Sequence, residues 1–357
     1  MNEKLKKSLK YILSLSVAAA LLYLAFRRMD WTQFWAALKD CRWGFVLLSM
    51  AAGGTAFFIR SQRWRMLLLP INPQLRRRTT YNAVCISYIA NLVIGYIGEF
   101  VRCGIITAHS PKEKEGDGEA HRLASYDKVL GTIVVERAWD IVSMGIFLLV
   151  FLLATWQRFG SFFVEKIFGV TAGRLNAGVL LGLAVLLFLG GAFVWAVLHF
   201  SGRWKPLEKV ADFLRGIGKG VVSGLKMKKA WMFFVLTVLL WCCYWMMSAS
   251  IVWAVQGISA DALGPGFASV MEKLAGLDLV DALFLTLAGA LSSLVPVPGG
   301  FGAFHIVVSS AISYVYGIPV EIGLIFATLS HESQILTQIL SGGIAYADEA
   351  RQIDLHF

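Results

Sequence analysis

The sequence predicts an all-α polytopic membrane protein: six full transmembrane helices plus two oppositely oriented re-entrant hairpins, in a single transmembrane domain spanning 1–357. Three observations carry this reading. First, 57% of the 357 residues are hydrophobic and only 16% are charged, against about 25% charged in an average soluble domain. Second, apolar runs recur at about 8–26, 43–62, 81–108, 129–156, 176–199, 230–255, 279–317 and 320–346, and a bilayer needs roughly 20 residues per helix. Third, the basic residues gather in the connections that a single topology places on one side of the membrane.

The first run follows Lys4, Lys6, Lys7 and Lys10 and ends at Phe26 before Arg27-Arg28. No small-residue cleavage site closes it, so it reads as an uncleaved first helix rather than a signal peptide. Two later runs are interrupted. Gly95-Tyr96-Ile97-Gly98-Glu99 breaks 81–108, and Pro296-Val297-Pro298-Gly299-Gly300-Phe301-Gly302 breaks 279–317. Proline removes a backbone donor and glycine removes the steric bias toward helix, so neither run is expected to be one continuous helix. In the first, Gly95 is expected to take the helix-breaking part. Backbone groups freed at such breaks must be buried in protein or face a wet cavity.

Charge decides how the first broken run connects; for 279–317 it has little power, because the C-terminal tail carries only Arg351 beside several acids. If each is a hairpin that leaves on the side it entered, 23 of the 33 Lys and Arg fall inside and 8 outside, leaving Arg102 and Arg137 within the runs. If 81–108 crossed once instead, the eight cations of 200–229 would be thrust outside, against the positive-inside rule. Both termini are therefore expected in the cytoplasm of a multi-pass inner (cell) membrane protein. One hairpin then dips from each face, an arrangement compatible with an inverted repeat around a midplane site; no residue-level repeat relates the halves. The same placement of cations explains the formal charge of +10 without nucleic acid.

At 204–229, Leu207, Val210, Leu214, Ile217, Val221 and Leu225 recur at helical spacing between Lys209, Asp212, Arg215 and Lys219. An amphipathic cytoplasmic helix is expected, lying either on anionic headgroups or on the protein itself.

Charged side chains inside a bilayer each cost at least ~2.5–3.5 kcal/mol, so those present need a reason. Glu99 and Arg102 follow the first break, and Glu136, Arg137 and Asp140 open the next helix. At i, i+4 Glu136 and Asp140 share a face, and Arg137 reaches Asp140 at i, i+3. These groups either lock hairpin to helix or line a polar cavity for a charged headgroup. Arg60, Arg63, Trp64 and Arg65 close the second helix; Arg60 and Arg65 read as interfacial anchors, whereas Arg63 and Trp64 are also candidates for phosphate contact. In Pro298, Gly299, Gly300 and Gly302 the backbone itself is a candidate, because unwound N–H groups and a helix N-terminus suit an anion. His305 follows that loop, and His331-Glu332 lie in the last run. A lone membrane histidine is usually a packing residue. No metal-spaced cluster, G-x-S-x-G or Walker motif is present, so no metal, cofactor or catalytic residue is assigned.

In order, Arg60…Arg63-Trp64, Asn91 with Gly98-Glu99…Arg102, Glu136-Arg137…Asp140 and Pro296–Gly302 resemble the lysylphosphatidylglycerol synthase transmembrane-region family of flippase-like proteins. Many members carry a glutamate where this chain has His305, and often a proline before the Gly-Glu pair. The resemblance implies lipid handling: in the best-known members this region flips an aminoacylated phospholipid made by a separate soluble domain. Phe357 follows soon after the last run, so a stand-alone transporter-like unit without a synthase domain is expected.

The resulting expectation is a lipid flippase or carrier of a lipid-linked intermediate. Its substrate-binding residues are expected to be Arg63, Trp64, Asn91, Glu99, Arg102, Glu136, Arg137, Asp140, Pro298, Gly299, Gly300, Gly302 and His305. Its partners are membrane lipids with anionic or aminoacylated headgroups, with a second copy or an envelope-synthesis enzyme open as a protein partner. A membrane transferase using Glu136 or Asp140 as general base, or a non-catalytic subunit, are the alternatives.

Overall fold

A computed structural model describes residues 3–113, 121–161, 229–263, 268–293 and 297–354, with a few isolated positions besides. The segments expected at 176–199 and 204–229, and Pro296, lie outside these residues apart from such isolated positions. The chain divides into two compact units, one of Met1–Leu130 with Met232–Phe357, the other of Gly131–Trp231.

The described residues are almost wholly helical. The helices are α1 (Glu3–Phe26), α2 (Trp31–Asp40), α3 (Trp43–Leu68), α4 (Arg77–Val93), α5 (Ile97–Ala108), α6 (Tyr126–Ser161), α7 (Ala230–Val255), α8 (Ala260–Leu263), α9 (Ala268–Ala275), α10 (Leu279–Ser292), α11 (Ala303–Tyr316) and α12 (Val320–Asp354). The one departure from an all-α reading among the described residues is a two-residue antiparallel ladder, β1 (Lys112–Glu113) with β2 (His121–Arg122).

Three helices are long and apolar enough to cross a bilayer: Trp43–Leu68, Tyr126–Gly160 and Ala230–Val255. A fourth span is available if α9 and α10, bent by 93°, count as one. Among the described residues, apolarity alone therefore does not reach six. The reason lies partly in α12, whose 35 residues reach about 52 Å at 1.5 Å per residue but carry His331, Glu332, Gln334 and Gln338.

Both interrupted runs fold back on themselves, and local chemistry shows why. Asp278 caps α10 by accepting from the Val280 and Asp281 amides, while Asp281 accepts from the Asp278 amide. The Tyr316 hydroxyl, at the far end of α11, donates to Asp281 at 2.8 Å. Segment 279–316 thus ends beside its start. Likewise Glu349 of α12 accepts from Asn82 of α4 at 3.3 Å and lies 2.9 Å from His109, just past α5. The bases of the two hairpins therefore sit at opposite ends of α12, which begins four residues after Tyr316 and reaches Glu349 near its close.

The tips of the hairpins meet. A Cβ added at Gly95 would sit 3.9 Å from the Pro298 Cα, and the Tyr96 hydroxyl donates to the Ser293 carbonyl at 3.4 Å. Tyr96, not Gly95, takes the left-handed conformation that breaks the first run, with φ of 65°. Gly95 lies at the contact, where a Cβ would meet the Pro298 backbone at ordinary van der Waals distance. Within this unit α12 packs on α3, α4 and α11, and α4 on α3 and α5.

Candidate functional site

Where the two tips meet, a cavity of about 460 Å³ opens inside the first unit. Its wall is largely apolar, with polar groups from five helices: Arg60 on α3, Asn91 on α4, Tyr244 and Ser248 on α7, Ser292 on α10, and Ser330, His331, Gln334 and Gln338 on α12. Gly299 and Gly300 close one side. Arg60 is buried, and its guanidinium donates to the Tyr244 hydroxyl at 3.4 Å.

The predicted residues distribute unevenly around this cavity. Asn91, Gly299 and Gly300 line it. Asn91 also holds the break in shape, since its side-chain oxygen accepts from the Gly98 amide at 2.7 Å and so caps α5. Gly98 is required by close approach, because a Cβ there would collide with the Ser87 carbonyl of α4.

Arg63 and Trp64 do not sit at a helix end, because α3 runs on to Leu68. Both are fully buried. Arg63 stacks over Phe233 at 5.4 Å and donates to Thr237 at 3.4 Å. Arg102, also buried, pairs with Glu99 and lies over the Trp64 ring at 4.4 Å. Trp64, Arg102 and Glu99 thus form a packed charge network, apart from the residues lining the cavity. Arg65 donates to the Leu75 carbonyl at 2.9 Å, tying down the α3–α4 connection.

The Pro-Gly-Gly segment is a single 3₁₀ turn, Pro298–Gly300, followed by α11. Gly299, Gly300 and Gly302 have φ of 60°, 77° and 79°, a region open to glycine at little cost. An unwound strand would leave its amides available to an anion, but not all of these are. The Gly300 and Phe301 amides bond the Val297 and Pro298 carbonyls within the turn. Gly302 is pressed against α1, where a Cβ would meet Leu21 and Leu22.

His305 is fully buried, its ring 5.4 Å from that of Phe26 and 5.0 Å from that of His331. His331 Nε2 lies 2.8 Å from the Gly299 carbonyl. Sequence spacing offers no metal cluster, yet folding brings ligand atoms of His305, His331 and Glu332 within 4.8 Å of one another.

In the second unit, α6 carries the remaining candidates. Arg137 and Asp140 pair at 3.2 Å, while Glu136 is fully buried.

These motifs, in this order on a helical membrane scaffold, are matched by the sequence profile of the lysylphosphatidylglycerol synthase TM region over residues 11–342. The chain belongs to that family. It is accordingly a membrane protein of a family associated with lipid metabolism and transport. No curated protein and no solved structure matches it.

The cavity also identifies residues that the motifs do not contain or cast in another part. Arg60 reads from sequence as an anchor, and Gln334 and Gln338 belong to none of the motifs. A signal for the two glutamines is nevertheless present: Ser330, Gln334 and Gln338 recur every four residues in the last apolar run, which keeps them on one helical face.

Proposed function

We propose that this member of the family moves a lipid with a polar headgroup, or a lipid-linked intermediate, across the membrane, acting as a transporter rather than an enzyme. One observation carries the reading. Two hairpins based at opposite ends of α12 meet tip to tip beside a cavity whose apolar wall is studded with Arg60, Asn91, His331, Gln334 and Gln338. A headgroup entering hydrocarbon unaided loses its hydration, whereas side-chain donors and acceptors already held in the wall replace it and lower the barrier. Acyl tails stay in the bilayer.

In this reading the hairpins are re-entrant, one from each face, among six full crossings, with both termini in the cytoplasm of the cell membrane. The buried Arg60 favours anionic headgroups, phosphate or carboxylate, because guanidinium binds both in bidentate fashion. Within the second unit, Arg137, Asp140 and Glu136 on α6 are separate candidates for headgroup contact.

The test is reconstitution of the purified chain into liposomes carrying fluorescent lipids, with membrane-impermeant quenching of the outer leaflet. Protein-containing vesicles are expected to lose more than half their signal, and Arg60→Gln with Gln334→Leu is expected to slow the second phase while the protein stays folded. If wild-type vesicles quench no further than protein-free ones across anionic, zwitterionic and aminoacylated lipids, the transport reading fails.

A further inference from the structure

Behind the Pro-Gly-Gly turn, three side chains from two parts of the sequence converge: His305 from the first turn of α11, and the adjacent His331 and Glu332 from α12. Glu332 Oε1 lies 3.2 Å from His331 Nδ1 and 3.8 Å from His305 Nε2. The hydrogen bond of His331 Nε2 to the Gly299 carbonyl, at 2.8 Å, fixes the ring's proton there, because a carbonyl only accepts. In the neutral ring Nδ1 then presents a lone pair to a carboxylate oxygen that also presents lone pairs. Either a second proton on the ring or a metal ion joins the two atoms across 3.2 Å. His305 is 1% exposed and turns its Nε2 toward the same Glu332 carboxylate, at 3.8 Å.

We propose that His305, His331 and Glu332 form a binding site for a divalent transition metal of the zinc class, with the Pro-Gly-Gly turn as its outer support. The donor set is two imidazole nitrogens and one carboxylate oxygen, which suits zinc and its first-row neighbours rather than the all-oxygen preference of calcium and magnesium. The spacing suits it as well. Metal–ligand bonds of roughly 2.0–2.2 Å in a tetrahedron set ligand atoms roughly 3.3–3.6 Å apart; the separations to Glu332 are 3.2 and 3.8 Å, and all three ligand atoms lie within 4.8 Å of one another. The donation of His331 to Gly299 is the outer-shell contact that orients a metal-bound imidazole. The Phe26, Phe301 and Phe304 rings pack about the two histidines, while the Glu332 side chain is 42% exposed. Three protein ligands leave a coordination position open, and His331 itself lines the cavity. The site would thereby link an ion to the wall of that cavity, although the inference stands without the transport reading.

The test uses the untagged full chain in detergent, stripped with a chelator and dialysed. Titration with Zn²⁺ by calorimetry is expected to saturate at one ion per chain, and Co²⁺ is expected to give visible d–d absorption. His305→Gln and Glu332→Gln should each weaken binding by about 10–100-fold or more, while His109→Gln should not. Zn²⁺ should raise the Tm of the wild type and leave that of Glu332→Gln unmoved. Since Glu332 is partly exposed, that variant carries the test should His305→Gln fail to fold. Absence of saturable Zn²⁺ uptake by the wild type overturns the proposal, as does equal affinity in Glu332→Gln or equal loss in His109→Gln.

Discussion

Arg60 and Arg63 stand one turn apart on α3 and meet opposite surroundings. Arg63 is sealed against Phe233 and Thr237, and its neighbour Trp64 carries the guanidinium of Arg102, itself paired with Glu99. Arg60 reaches Tyr244 at the wall of a cavity. One region is closed by close packing and the other holds space among polar groups. Charge in an apolar setting therefore has two uses here: locking the first hairpin to α3, and furnishing the place where both hairpins meet.

The contrast is sharpest where stability is measured. Arg102→Ala removes a buried cation from both Glu99 and Trp64, and is expected to cost about 3–5 kcal/mol, read by denaturation in detergent. A loss under about 1 kcal/mol would mean that the network is not the lock described. Gly98→Ala should follow at about 1–3 kcal/mol, because its new methyl must displace the Ser87 backbone rather than a flexible side chain. Scored by the same unfolding midpoint, no change there would show that α5 can slide on α4.

A double-mutant cycle between Trp64→Leu and Arg102→Ala should return a coupling of about 2 kcal/mol for a desolvated cation–π pair. Strict additivity would dissolve the network into independent contacts. Arg60→Gln is expected to sit at the other extreme, changing stability by about 1 kcal/mol or less while slowing lipid movement about tenfold, equivalent to about 1.4 kcal/mol of barrier. If instead it destabilises as much as Arg102→Ala, the two arginines belong to one structural set and the comparison fails.

Much of the helical layout is legible in the residues. The breaks at 94–96 and 297–302 are both present, and at the second glycine and proline act locally on the backbone. The pairing of Arg137 with Asp140 is equally readable, since helical spacing alone brings i and i+3 together. Tyr96 is not legible as the residue with positive φ, because the penalty for a side chain in that conformation is offset by tertiary contacts. The burial of Arg63 and Trp64 is hidden too: a basic, aromatic helix end reads as interfacial unless its neighbours are known.

The sequence alone thus determined a helical membrane scaffold with two interruptions, because hydropathy, glycine, proline and loop charge act over short stretches of chain. Only the tertiary structure decided that the interruptions meet, that Arg60 rather than Arg63 faces a cavity, and that His305 joins His331 and Glu332. Those outcomes depend on which helix faces turn toward one another between segments apart in the chain, and no local pattern of side chains encodes that pairing.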